Sequence, residues 1–160
     1  MEIRIYEGQD RDQVIQLVLH CQNDGSRPLV GLEDQPDLLH IPEAYMAADG
    51  CFWVAEENGR IVGSIGLMRC EGEIGILKKF FVDEEFRGKP YHLGRQLYKR
   101  LLAFAEEKKL RCLLLDTPKN TVRAHRFYEK AGFVPIPPEN LPVRYHYPYS
   151  DSDFFLLELS

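Results

Sequence analysis

Apolar residues recur along this chain with two periods, one of about two residues and one of about three and a half. Residues 2–6 alternate polar and apolar, as a strand does. Residues 9–22 place Val14, Leu17 and Val18 on one stripe with Gln13 and Gln16 turned away, which predicts an amphipathic helix. Asn23-Asp24-Gly25-Ser26-Arg27-Pro28 is turn chemistry and ends it. Residues 29–41 carry no clear period. Pro36 suits the start of a short helix, and Pro42 another that runs through Ala48 to the Asp49-Gly50 break. Residues 51–56 and 61–68 are apolar strands joined by Asn58-Gly59, a strong two-residue hairpin signal. After Glu71-Gly72-Glu73, residues 74–82 form a third strand, so the middle of the chain predicts an antiparallel meander.

The second half returns to the helical period. Over residues 92–109, Leu93, Leu97, Leu101, Phe104 and Ala105 share one broad face, a helix to be packed on a sheet. Residues 111–116 are a short apolar strand closed by Thr117-Pro118, and residues 119–131 are helical with Gly132 as the stop. Residues 133–136 make a strand, Pro135, Pro137, Pro138 and Pro142 mark a loop, and residues 153–159 make the last strand. The order β-α-α-β-β-β-α-β-α-β-β predicts an α+β fold, a sheet with helices on its faces. No repeat, low-complexity tract or linker divides the chain, so residues 1–160 read as a single domain.

Composition narrows the class. With 160 residues, 44% hydrophobic and 28% charged, the chain is an ordinary globular domain. A net charge of −5 gives no general field for nucleic acid. No apolar run approaches the roughly 20 residues of a membrane span, and Met1-Glu2-Ile3-Arg4-Ile5-Tyr6 has no signal-peptide core. Cys21, Cys51, Cys70 and Cys112 lack metal-ligand spacing and read as buried free thiols. No metal site is expected, and the setting expected is cytoplasmic.

Candidate chemistry concentrates in residues 74–133. Between the strand at 74–82 and the helix at 92–109 lies Arg87-Gly88-Lys89-Pro90-Tyr91-His92-Leu93-Gly94-Arg95. Free N–H groups and the dipole at a helix start favour an anion. Arg87, Lys89 and Arg95 add charge, and Gly88 and Gly94 allow close approach of a ligand. The same residues also fit a plain solvated turn. Tyr128, in the helix beyond the next strand, is suited to donate a proton to a leaving group; it fits a core aromatic equally well.

Phe81-Val82-Asp83, Arg87-Gly88-Lys89, Gly94-Arg95 and Phe127-Tyr128-Glu129-Lys130-Ala131-Gly132-Phe133, in this order of elements, resemble the GNAT superfamily of acyl-CoA-dependent N-acyltransferases. The resemblance covers nearly the whole chain in layout and is sharpest over residues 76–134. It implies a mixed, mostly antiparallel central sheet, with a splay between the strand ending Phe80-Phe81-Val82 and the strand at 111–116. It further implies acetyl-CoA as acyl donor, held by Phe80, Phe81, Val82, Arg87, Gly88, Lys89, His92, Leu93, Gly94, Arg95 and Asn120. A backbone amide near Phe81 or Val82 would polarise the thioester, and Tyr128 would protonate the departing thiolate. The acceptor would be a primary amine attacking directly in a ternary complex.

Three positions depart from the family pattern. Counting back from Gly94 gives Lys89-x-x-His92-x-Gly94, with histidine where glycine is usual, and Pro90 removes one N–H. Thr121 stands at the spacing where the family often has asparagine, one place after Asn120. Ile76 stands where some relatives carry a catalytic glutamate, which leaves Glu73, a histidine or water as the base. The segment 23–45 and the loop 137–150, with Tyr145, Tyr147 and Tyr149, are the expected acceptor walls; His40, Glu33, Asp34 and Asp37 are candidate amine contacts. A non-catalytic acyl-CoA sensor of the same fold and an unrelated α+β interaction module remain as alternatives. The apolar last strands are compatible with a homodimer.

Overall fold

The computed structural model describes residues 1–25 and 29–159; residues 26–28 of the expected turn and Ser160 lie outside the described residues. The strands are β1 (Glu2–Ile5), β2 (Cys51–Glu57), β3 (Arg60–Cys70), β4 (Ile74–Val82), β5 (Cys112–Pro118), β6 (Val134–Ile136) and β7 (Ser152–Glu158). The α-helices are α1 (Arg11–Gln22), α2 (Leu93–Glu107) and α3 (Val122–Lys130). Among the described residues the strands form one mixed sheet in the order β1-β2-β3-β4-β5-β7-β6. Only β4 and β5 pair in parallel; the other neighbours are antiparallel.

Local chemistry explains the meander. Asn58 and Gly59 both take positive φ, as a tight hairpin turn between β2 and β3 requires. Alternation then divides the strands between two cores. Trp53, Ala55, Leu77, Leu113 and Leu115 face the side covered by α2 and α3. Phe52 and Val54 face α1 and the turns after it, and Ile76 and Leu114 face the segment at 141–145 on that same side. Helix α2 buries Leu93, Leu97, Tyr98, Leu101 and Ala105, the stripe expected from its period.

The structure corrects several boundaries. The expected helix at 9–22 opens with a 3-10 turn at Gly8–Asp10 before α1. There Asp10 accepts from Arg4 Nη1 at 2.7 Å and Nη2 at 2.9 Å, and from the Glu7 amide at 2.8 Å, tying β1 to the helix. The helix expected after Pro42 is a π-helical turn, Pro42–Met46, and residues 32–39 hold two 3-10 turns. The helix expected over 119–131 begins only at Val122, because Thr121 turns its hydroxyl back to the Pro118 carbonyl, 2.8 Å away. The four cysteines are free thiols; Cys70 is only partly buried.

One irregularity positions the site. Gly66 pairs with Lys78 and Ser64 with Phe81, so Lys79 and Phe80 share the space opposite Ile65. This is a β-bulge, and Lys79 takes φ +54° within it. Ser64 Oγ donates to the Lys79 carbonyl at 2.7 Å and fixes the distortion. The inserted residue breaks the alternation. Leu77 and Phe80 pack on the α2 side, whereas Lys78 and Lys79 both reach groups on the other side.

Candidate active site

Strands β4 and β5 part company a short way along their length. Their pairing runs Ile74–Cys112, Gly75–Leu113 and Ile76–Leu114, and β5 then continues with β7 as far as Pro118 opposite Ser152. The rest of β4, Leu77 to Val82, keeps β3 as its neighbour. The expected splay is therefore present, and two adjoining hollows open along it.

The larger is a cleft of about 460 Å³. The end of β4 contributes Phe80, Phe81 and Val82; the following turn Arg87, Gly88 and His92; the first turn of α2 Gly94 and Arg95; and the chain around α3 Asn120, Arg123 and Tyr128. Ten of the expected site residues thus come together here. Two do not line it. Leu93 is fully buried in the core under α2, and Lys89 is an exposed residue of the turn.

The turn is shaped by its backbone. Gly88 takes φ +66°, and His92, in the left-handed region at φ 49°, caps α2 without a side-chain bond to the helix amides. The first N–H groups of a helix precede any carbonyl of its own, so they remain available to a ligand. Gly94 leaves the approach open: a Cβ there would make only ordinary contacts, with the Phe80 ring at 3.5 Å and Val82 Cγ2 at 3.9 Å. Arg87 has a second task, because its Nε donates to the Val82 carbonyl at 2.8 Å and ties the turn to the end of β4. Asn120 lies exposed on the rim, while the Thr121 hydroxyl is taken by Thr117 Oγ1 at 2.7 Å and Pro118.

The smaller hollow is a cavity of about 80 Å³ that adjoins the cleft at the splay. Lys78, Lys79, Asp116 and Tyr149 line it and do not line the cleft, whereas Phe80, Phe81, Ala124 and Tyr128 line both. Tyr128 is 7% exposed and packed among Phe80, Phe127, Phe133 and Phe155. Lys79 Nζ lies 3.3 Å from Asp37 Oδ2, which also accepts from Tyr45 Oη at 2.6 Å. Burial pulls the Lys79 ammonium below its usual range while Asp37 holds it up. Lys78 donates to the His146 carbonyl at 2.8 Å and lies over the Tyr145 ring. Asp116 accepts from Tyr145 Oη at 2.9 Å. Burial pushes the Asp116 carboxyl up, against the pull of Lys78 and the tyrosine hydroxyl.

The acceptor-side expectations fare unevenly. Glu73 is an exposed residue in the β3–β4 turn, next to the end where β4 and β5 still pair, and lines neither hollow. Glu33 and His40 are exposed, and Tyr147 packs between Tyr145 and Phe154. Asp37 pairs with Lys79, and Tyr145 donates to Asp116. Sequence reasoning passed over Lys78, Lys79 and Asp116. Their signal was present: adjacent lysines inside an apolar strand, and a carboxylate directly after Cys112–Leu115.

A splayed parallel pair with a helix start at one mouth is what the resemblance to acyl-CoA-dependent N-acyltransferases implied, and the comparisons agree. A family profile described as "Acetyltransferase (GNAT) domain" matches residues 48–135. The crystal structure of an acetyltransferase from Streptococcus agalactiae 2603 superposes with a TM-score of 0.94 at 38% identity, over 99% of this chain and 98% of that one. The N-acetylaspartate synthetase of Mus musculus is 35% identical over 99 residues, 61% of this chain and 32% of that protein. A putative acetyltransferase from Salmonella typhimurium, solved with its cofactor acetyl-CoA, shares the fold with a TM-score of 0.72 at 20% identity, over 99% of this chain and 94% of that one. The chain belongs to the GNAT acetyltransferase family. It spans about half or less of the length of the curated relatives it matches. No helix of the described residues is long and apolar enough to cross a membrane.

Proposed function

We propose that the protein transfers an acetyl group from acetyl-CoA to a primary amine, with both substrates bound at once. The observation that carries this reading is the meeting of the cleft and the cavity at Tyr128, between the splayed ends of β4 and β5.

The cleft fits the donor. The start of α2, with Arg95 and His92 beside it and the open surface at Gly94, suits a pyrophosphate. Beyond Ile76, β4 has no β5 neighbour, so its backbone on that side can receive an extended amide-bearing arm as a further strand would. When bound, the thioester supplies the activated acetyl group. A β4 amide next to the bulge, at Phe80 to Val82, steadies negative charge developing on the thioester oxygen; one well-aimed donor contributes about 3 kcal/mol. The Tyr128 hydroxyl delivers a proton to the leaving sulfur. The aromatic rings around Tyr128 exclude water from that transfer.

The amine enters from the cavity side, and its identity is not fixed by the fold. A relative named for an N-acetylated amino acid supports an amine acceptor. The test is acetyl-CoA consumption with ethylamine, glycine, L-aspartate, L-lysine and spermidine, alongside a thermal shift with acetyl-CoA. Turnover of at least one amine with release of coenzyme A is expected. Binding of acetyl-CoA without acetylation of any amine would leave an acyl-CoA-binding module instead.

A further inference from the structure

The ammonium form of an amine carries no lone pair, so attack on a thioester requires a base. Neither Glu73 nor the histidines fill that place. His20 and His40 are exposed, His92 belongs to the turn at the cleft, and His125 packs on Phe155. His146 is exposed and lies 2.9 Å from the Asp34 carbonyl.

We propose that Asp116 is the general base, taking a proton from the acceptor's ammonium group in the small cavity it shares with Tyr128. The inference rests on the acetyl-transfer reading above. Four observations carry it. Asp116 lies two residues beyond the last β4–β5 pair, Ile76–Leu114, and so stands at the mouth of the splay. Its backbone is held opposite Phe154 of β7, which fixes the direction of the side chain. It lines the cavity together with Phe80, Phe81, Ala124 and Tyr128, the residues common to both hollows. Tyr145 donates to Oδ1, and a carboxylate keeps further acceptor capacity on both oxygens.

The surroundings suit a base. Lys78 and Lys79 from β4 face Asp116, as do Tyr145 from the 141–151 segment and Tyr45 from the π-helical turn; Tyr128 of α3 shares the cavity. Burial raises the proton affinity of the carboxyl, and the two lysines keep its anion tolerable. Lys79 is the other buried group of unusual proton affinity in the cavity, but it is committed to Asp37.

The step balances. The ammonium gives one proton to the Asp116 carboxylate, and the freed lone pair forms the C–N bond as the C–S bond breaks. The Tyr128 hydroxyl protonates the thiolate. The second proton leaving nitrogen returns to the Tyr128 oxygen, and Asp116 later releases its proton to solvent. The net change is amide, thiol and one proton from ammonium and thioester.

Asp116→Asn keeps the shape and removes the base. With the best amine of the panel above, kcat/KM at neutral pH is expected to fall roughly 100-fold or more. The acid-side limb of the pH profile that belongs to Asp116 should vanish, and the residual rate should climb with pH as the free amine forms unaided. Calorimetric binding of that amine to the coenzyme A complex should weaken, while acetyl-CoA affinity stays within about twofold, which reports an intact fold. Asp116→Glu should recover part of the rate. An unchanged limb with less than about a threefold loss in Asp116→Asn, or loss of the limb in Lys79→Gln instead, overturns the assignment. An unsubstituted protein that binds acetyl-CoA but acetylates no amine overturns it differently, by removing the reaction on which it rests.

Discussion

The wall of the cleft comes mostly from two runs of sequence, residues 80–95 and 120–128, whereas the cavity gathers Gln22, Lys78, Lys79, Asp116 and Tyr149 from separate parts of the chain. The first relies on backbone: a helix start, two glycines and a strand left open on one side. The second relies on charged side chains taken out of water and matched to one another. A site for a phosphate-bearing donor can be local because helix N–H groups are consecutive in sequence. A site that must hold an amine and remove its proton needs charges facing each other across a hollow, and only tertiary structure brings them there. Substitutions in the two regions should therefore fail in different ways.

The largest effect is expected where the regions meet. Tyr128→Phe should lower kcat by roughly 10²–10⁴-fold with acetyl-CoA affinity retained, measured by steady-state kinetics and calorimetry. An unchanged kcat would remove Tyr128 from the chemistry and return it to the aromatic core around it.

Next comes the cavity's scaffold. Asp37→Asn leaves the Lys79 ammonium buried without its counter-ion, at side-chain exposures of 4% for Lys79 and 11% for Asp37. Breaking one partner of such a pair costs about 3–5 kcal/mol, which chemical denaturation would report. A loss below about 1 kcal/mol would mark the pair as no better than a surface contact.

The cleft should respond through affinity. Arg95 is exposed at its edge, so Arg95→Ala should weaken acetyl-CoA binding by roughly tenfold, with the difference shrinking as salt rises. Stability should hardly change.

The smallest effect has the opposite sign for stability and for rate. The folded Asp116 carboxyl titrates above its unfolded value because burial disfavours its charge. Its contribution to stability is present below the unfolded value and is lost as pH rises through the folded one. Asp116→Asn abolishes that loss, so at neutral pH the variant should melt at or slightly above the parent's temperature while being slower. A lower melting temperature at neutral pH than at acid pH, relative to the parent, would contradict this.

Legibility in the sequence followed the same division. The Asn58-Gly59 hairpin, the buried stripe of α2, the basic turn and Tyr128 rest on short spacings, and the elements formed near where they were expected. The bulge at Lys79 did not announce itself. Its cause is a one-residue mismatch between β3 and β4, and a lone strand cannot display the register of its partner. Asp116 looked like the polar end of an apolar strand until β5 was seen to leave β4 two residues earlier. The π-helical turn at Pro42–Met46 places Tyr45 on Asp37, a contact that no local period encodes. Glu73 drew notice by its closeness in sequence to β4, yet it sits at the closed end of the pair that opens at Leu77.

The central claim is that the two hollows are filled together and meet at Tyr128. Initial rates measured with acetyl-CoA and the amine varied independently test it most directly. Double-reciprocal plots that intersect are expected, because both substrates must be bound before the acetyl group moves. Parallel lines would mean that the acetyl group first rests on the protein, and would contradict it.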